Sequence, residues 1–299
     1  MAQQSQVPGL SGTVSLSPSP SLPSGAAQTV DRAFPGLAFE ARSFWYYAGK
    51  AGKPINFSLN LLRTIANKTK TKPVIRVGGT SLDHSLGYDP DQPKAIHIPE
   101  GQPAGIPSNL TFGPSYFESF TNFPDARYIL DLPFAYKNRT NSLRFIDAAY
   151  RKIGADRIYA LELGNEVNLY RQPDIVASLG VGNDTKVWQA AATSAETVNL
   201  LLPGYQPDNP WQIPGIFENG TLVKDQQRIK STSVHYYQTK INESSSLQRD
   251  IMSHAGIVAG SKLLKSVAEY LHKNVTPPIP LVLGEIGSSL GNGSSDADL

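Results

Sequence analysis

Leu161-Glu162-Leu163-Gly164-Asn165-Glu166 and, 119 residues further on, Leu281-Val282-Leu283-Gly284-Glu285 share one pattern, an apolar run of strand character that stops at Gly and hands over to a carboxylic acid. In a β/α barrel this is where a strand delivers a side chain to the mouth. The spacing narrows the choice further. Each strand-plus-helix unit of such a barrel takes about 30 to 40 residues, so the two acids stand about three units apart. If Glu166 closes strand four, Glu285 closes strand seven. Two carboxylates presented together are the working parts of glycoside hydrolysis, one as proton donor and one as nucleophile.

The rest of the chain follows the same rhythm. Leu37-Ala38-Phe39-Glu40 reads as strand one and Leu59 to Lys68 as its helix. Pro73-Val74-Ile75-Arg76-Val77-Gly78-Gly79 is strand two, ending in a Gly turn. The loop from Thr80 to about Thr111 holds five Pro and is too long for a simple connector, which marks it as a substrate-side excursion. Arg127 to Leu132 is strand three, and Ser142 to Ile153 is its helix, with Leu143, Ile146, Ala149 and Tyr150 at helical spacing. Strand four is Arg157 to Gly164, followed by a helix over Val187 to Leu202. Strand five is placed in Trp211 to Phe217, strand six in Ser231 to Tyr236 with the helix Val258 to His272, and strand seven in Pro280 to Gly284.

This alternation predicts an α/β protein, a (β/α)8-type TIM barrel with parallel strands. Only 14 residues follow Glu285, all polar or small except Ile286, Leu290 and Leu299. No eighth strand and helix can be written, so the barrel is expected to be incomplete, with about seven strands and truncated at its C-terminal end. The expected organisation is a Ser/Pro-rich N-terminal segment over 1–33 and a catalytic barrel domain over 34–299.

Lys plus Arg number 27 against 25 Asp plus Glu, and this balance gives no reason to expect nucleic acid as a partner. No apolar run reaches membrane-spanning length. Cysteine is absent, which removes disulfides, thiol nucleophiles and Cys-based metal sites. No metal or other cofactor is expected, because His84, His97, His254 and His272 lack ligand spacing. Nine Asn-x-Ser/Thr sequons, at Asn56, Asn67, Asn109, Asn138, Asn183, Asn219, Asn242, Asn274 and Asn292, stand among 16 Asn. Ser and Thr number 45 of 299, so chance gives roughly 2.4. The excess predicts a secreted glycoprotein. Met1 to Leu10 has neither a basic start nor an apolar core, so the sequence as given is expected either to lack its leader or to be a mature chain with an added Met.

Taken together, Glu40 after strand one, Arg76-Val77-Gly78-Gly79-Thr80-Ser81-Leu82-Asp83, Leu163-Gly164-Asn165-Glu166-Val167, Val234-His235-Tyr236-Tyr237 and Leu283-Gly284-Glu285 resemble glycoside hydrolase family 79, the β-glucuronidases and heparanase-like enzymes. The similarity runs from about residue 30 to about residue 290. It implies an exo-acting, retaining β-glucuronidase with a barrel and a trailing β-sandwich, acting on a carbohydrate substrate. It also implies Glu166 as acid/base, Glu285 as nucleophile, Asn165 as the contact to the sugar 2-hydroxyl, Glu40 and Thr80 as contacts to other hydroxyls, and Tyr236 beside the nucleophile. Arg76 supports this set by neutralising Glu40 or Glu285.

Other residues have plainer readings. Glu162 is expected to point into the barrel or the helix layer rather than to touch substrate, and His235, opposite to Val234 and Tyr236 by strand alternation, is expected to be a packed, hydrogen-bonded histidine rather than a catalytic one. Phe44-Trp45-Tyr46-Tyr47 reads equally as a sugar-stacking wall or as an ordinary packed loop. Gly287-Ser288-Ser289-Leu290-Gly291 fits the nucleophile elbow of esterases but has no His downstream, so the match is accidental. The stretch after Glu285 carries no aromatic to grip a sugar carboxylate. A clan relative acting on a neutral β-glycoside therefore stays open, as does a non-catalytic, sugar-binding remnant.

Overall fold

A computed structural model describes residues 30–102, 107–135, 138–162, 164–166, 197–201, 229–240 and 246–290, with the single positions 20, 21, 24 and 217. The main sheet has seven strands: β1 (Leu37–Glu40), β2 (Val74–Gly78), β3 (Arg127–Asp131), β4 (Ile158–Glu162), β5 (Thr197–Leu201), β6 (Ser231–Lys240) and β7 (Leu281–Leu290). Their spatial order is their chain order, and every pairing is parallel. Among the described residues four longer helices accompany them: α1 (Ala41–Ala48), α2 (Asn56–Thr69), α3 (Arg139–Ile153) and α4 (His254–Asn274). The protein is thus of α/β class with a parallel sheet.

The sheet is strongly curled. Arg76 of β2 hydrogen-bonds Glu285 of β7 although four strands lie between them. A flat sheet would hold those two strands about 24 Å apart, beyond the reach of both side chains. Alternation then sorts the residues by face. Ile75, Val77, Tyr128, Leu130 and Leu161 join the helix-side core with Phe44 of α1 and Phe145 of α3. Their neighbours Arg76, Asp131 and Glu162 are therefore delivered to the other, concave face. Part of this core is an aromatic cluster: the Phe44 and Phe120 rings lie tilted with centroids 4.2 Å apart, and Phe120 meets Tyr128 edge-on at 4.8 Å.

Several expected elements differ from what the structure holds. The fifth strand is Thr197–Leu201, where the sequence places the end of a helix, and of the segment Trp211 to Phe217 only Phe217 lies among the described residues. β7 runs on to Leu290, so Glu285 sits at mid-strand and not at a strand end. Its pairing keeps Val234 opposite Leu283 but puts His235 opposite Glu285, leaving Gly284 as the extra residue of a bulge. Phe44 to Tyr47 lie in helix α1 and not in a loop. In α3 the buried stripe is Phe145, Ala148, Ala149 and Ile153, whereas Leu143 and Tyr150 are exposed. That helix starts where the Asn138 side chain accepts from Asn141 N at 3.0 Å, and it stops at Gly154, whose φ is 97°. The excursion after β2 is partly ordered as a three-stranded sheet of Ser85–Tyr88, Ile96–His97 and Leu110–Phe112.

Candidate active site

Glycines open the floor of the site. Gly79 has φ 92°, and a Cβ there would lie 2.7 Å from the Glu40 carboxyl. The turn after β2 therefore passes directly under Glu40, whose Oε2 accepts from Ser81 N at 3.1 Å and from the Ser81 hydroxyl. At the β7 bulge, a Cβ on Gly284 would lie 2.0 Å from Ser233 Oγ. Beyond β4 the chain turns through Gly164 (φ 76°) and Glu166 (φ 50°). A non-glycine residue in the left-handed region costs about 1 kcal/mol or more and is found where surrounding structure holds it for a purpose.

Arg76 is the centre of the concave face. Nε donates to Glu162 Oε2 at 2.7 Å, Nη2 donates to Asn165 Oδ1 at 2.8 Å, and Nη1 donates to Glu285 Oε1. Asp131 Oδ2 lies 3.8 Å from Nη2. Asn165 is held a second time, its N–H donating to Asp83 Oδ2 at 3.2 Å, and its Nδ2 donates to Thr80 Oγ1 at 3.5 Å.

The two candidate acids meet at His235. Its Nδ1 lies 2.8 Å from Glu166 Oε1 and 3.5 Å from Glu285 Oε2, and the ring is fully buried. One oxygen of each carboxylate and this nitrogen all lie within 4.8 Å of one another. Glu166 and Glu285 are partly exposed, at 15% and 19%, so both remain reachable from solvent. The Tyr237 hydroxyl donates to Glu285 Oε2 at 2.6 Å. Glu166, His235 and Glu285 are also the group of described residues able to offer a metal one ligand atom each. The Arg76 guanidinium on Glu285 opposes a second cation there by like-charge repulsion.

The electrostatics separate the carboxyls. Burial works to raise the Glu285 carboxyl, but the charge of Arg76, then His235 and the Tyr237 hydrogen bond overcome it and leave Glu285 below the ordinary glutamate value. Glu40 goes the other way, raised mainly by burial against the opposing Ser81 hydrogen bonds. Burial, then the neighbouring Asp83, raises Asp131 well above the ordinary range despite Arg76. Tyr237 is raised by burial and by the Glu285 charge, which keeps its hydroxyl a donor.

Of the residues singled out in the sequence, Glu166, Glu285, Asn165, Thr80 and Arg76 come together here, with Glu40 beneath the Gly79 turn. Tyr236 does not. Its hydroxyl points away to α4, where a Cβ on Gly260 would lie 1.8 Å from it, and the tyrosine at Glu285 is Tyr237. Strand alternation is the reason: His235 and Tyr237 share one face of β6, and Tyr236 takes the other. His235 is buried and hydrogen-bonded, but its partners are the two candidate acids. Arg76 neutralises Glu285 and Glu162 by direct contact, not Glu40. Among the sequons, Asn56, Asn67, Asn138 and Asn274 are exposed and Asn109 is half-buried, while Asn183, Asn219, Asn242 and Asn292 lie outside the described residues.

No family model matches the chain. It is 26% identical over 303 aligned positions to a β-glucuronidase of Aspergillus niger, covering 94% of this chain and 56% of that protein. It is 33% identical over 145 positions to a β-glucuronidase of Neurospora crassa, covering 46% of this chain and 26% of that one. The chain thus spans little more than half the length of the A. niger relative. Among solved structures it resembles a 4-O-α-L-rhamnosyl-β-D-glucuronidase of Fusarium oxysporum, with TM-score 0.64, 22% identity, and coverage of 91% of this chain and 58% of that one. A family 51 α-L-arabinofuranosidase of Bifidobacterium longum matches with TM-score 0.54, 12% identity, and coverage of 90% and 58%. Both structural likenesses speak to the fold. The likeness to β-glucuronidases implied by the motifs is what the curated relatives bear out.

Proposed function

We propose that this chain is the catalytic part of a retaining, exo-acting β-glucuronidase, with its curled sheet forming seven strands of a (β/α)8 barrel. The observation that carries the reading is the approach of Glu166 and Glu285, each offering an oxygen within 4.8 Å of the other, with Arg76 and Tyr237 on Glu285 alone. Retaining glycosidases hold their carboxyl groups about 5 to 5.5 Å apart, whereas inverting ones leave about 6.5 to 9.5 Å for a water. The short separation supports the retaining course.

In the first step Glu285, kept ionised by Arg76, attacks the anomeric carbon while Glu166 gives its proton to the glycosidic oxygen. The C1–O bond to the aglycone breaks as the C1–O bond to Glu285 forms. In the second step water attacks C1, its proton passes to Glu166, and Glu285 leaves as the carboxylate. The Arg76 contact at Oδ1 fixes the Asn165 amide so that Nδ2 is the donor, suited to a sugar 2-hydroxyl whose hydrogen bond strengthens in the transition state. The names of the curated relatives support glucuronate as the sugar. The test is a comparison of aryl β-glucuronide with aryl β-glucoside, the anomer of the first-formed product being read by NMR. The expected result is hydrolysis of the glucuronide alone with release of the β-anomer first. Release of the α-anomer would refute the double displacement, faster glucoside cleavage would move the enzyme to a neutral-sugar clan relative, and inertness towards both would make the chain a sugar-binding remnant.

We also propose that the protein is secreted and glycosylated. Four exposed sequons among the described residues support this, and no helix of those residues is long and apolar enough to cross a membrane. Produced in a eukaryotic secretory host behind a leader, the chain should migrate well above its 32.4 kDa and fall back on enzymatic deglycosylation. Unchanged mobility would remove the case for glycosylation.

A further inference from the structure

Glu162 ends β4, is 1% exposed, and lies outside the pair of acids that the proposed double displacement uses. Its Oε2 accepts from Arg76 Nε at 2.7 Å, and its Oε1 has no hydrogen-bond partner among the described residues. A buried carboxylate satisfied on one side only is costly, and an apolar residue would fill the same space more cheaply. What a glutamate adds here is an acceptor and a charge, both aimed at one guanidinium.

That guanidinium is planar and rigid. Its two outer nitrogens serve two different site residues, Nη1 going to Glu285 and Nη2 to Asn165 Oδ1 at 2.8 Å. Holding Nε therefore fixes the plane and, with it, the directions of both outer contacts. We propose that Glu162 is a positioning residue for the double displacement: by bracing Arg76 at Nε it sets the geometry of Glu285 and Asn165, and by sharing the guanidinium charge it limits how strongly Arg76 holds Glu285. The inference rests on the two-carboxylate reading of Glu166 and Glu285. Among the described residues, the other titratable groups of the cluster around Glu162 and Arg76 are Glu40 of β1, Asp83 after β2, Asp131 of β3, Glu166 after β4, His235 and Tyr237 of β6, and Glu285 of β7.

Two variants separate brace from charge. Glu162→Gln keeps an oxygen that can accept from Nε but removes the charge, and Glu162→Met removes both while filling the space. The measurement is kcat and kcat/KM for an aryl β-glucuronide against pH, with Glu285→Gln as control. The acidic limb marks the pH below which Glu285 takes up a proton. With one negative charge gone, the ionised form of Glu285 is favoured, so the limb of Glu162→Gln moves to lower pH while kcat stays within about fivefold. Glu162→Met lets the guanidinium swing, and a misplacement of this kind costs on the order of a hundredfold in kcat, with a limb above that of Glu162→Gln. Should Glu162→Met fail to fold, the limb of Glu162→Gln decides alone. Coincident profiles for the two variants, an upward limb in Glu162→Gln, or failure of Glu162→Gln to fold would overturn the proposal. Wild-type activity in Glu285→Gln would instead overturn the two-carboxylate reading and take this proposal with it. Loss of activity in Glu285→Gln beside unmoved Glu162 variants would sink the present proposal alone.

Discussion

Replacing Glu285 with Gln abolishes turnover of every glycoside, however good its leaving group, because no group remains to form the bond to C1. The amide keeps the size of the carboxylate and still receives the Tyr237 hydroxyl, so the loss belongs to the chemistry and not to the packing. Replacing Glu166 with Gln behaves differently. General acid catalysis contributes about 10²- to 10⁴-fold, and a leaving group that departs as a stable anion has little need of it. An alkyl glucuronide therefore loses rate by that factor, while a dinitrophenyl glucuronide still glycosylates Glu285, and the intermediate accumulates because its water lacks a base. Azide, which needs no base, restores turnover in Glu166→Gln and gives a β-glycosyl azide. Steady-state and burst kinetics of both variants on both substrates provide the check. Equal loss on all substrates, without azide rescue in either variant, would break the assignment of roles.

The positions of the two acids were legible in the sequence because both follow apolar runs, whereas their division of labour came from the family resemblance. β2 and β4 lie in the interior of the parallel sheet, and strands buried on both faces read as nearly continuous Val, Ile and Leu; β7 is the last strand in the order, and its run Leu281-Val282-Leu283 is half-buried. β5 was not legible: Thr197-Val198-Asn199-Leu200-Leu201 follows an Ala-rich, Glu-containing run, 190–196, whose composition favours helix. The buried face of α3 is a similar case. Apolar residues lie on several sides of that helix, and only packing against Phe112 and Phe117 selects Phe145 over Leu143.

Within the site, the motifs name the acids but not their supports. The choice between Tyr236 and Tyr237 follows from the rotation of β6, and the rule of alternation that separates His235 from Tyr236 already puts Tyr237 beside His235. The bulge at Gly284 is what brings Glu285 opposite His235, and a bulge leaves no mark in an apolar pattern beyond the glycine itself. The contact of Arg76 with Glu285 joins residues 209 positions apart across a curled sheet, and no local signal encodes it.

Arg76→Met yields the largest loss of stability expected from a single substitution in this protein. The guanidinium is 3% exposed and lies within 4 Å of carboxylate oxygens of Glu162, Glu285 and Asp131. Deleting one partner of a buried ion pair leaves an uncompensated charge and costs about 3 to 5 kcal/mol, and here Glu162 and Glu285 both lose the cation that contacts them directly. The deficit has a direction in pH. Glu285, now held below the ordinary glutamate value, would be raised once burial acts on it without Arg76. In the wild type its depressed value contributes stability that is present at neutral pH and is lost as pH falls through that value. In the variant the raised Glu285 carboxyl contributes the opposite way, with stability lost as pH rises. The gap between wild type and Arg76→Met is therefore widest near pH 7 and narrows towards pH 5. Urea denaturation of both proteins at the two pH values measures it. A variant that unfolds within about 1 kcal/mol of wild type at pH 7, with the same difference at pH 5, would mean that Glu285 does not depend on Arg76 for its charge.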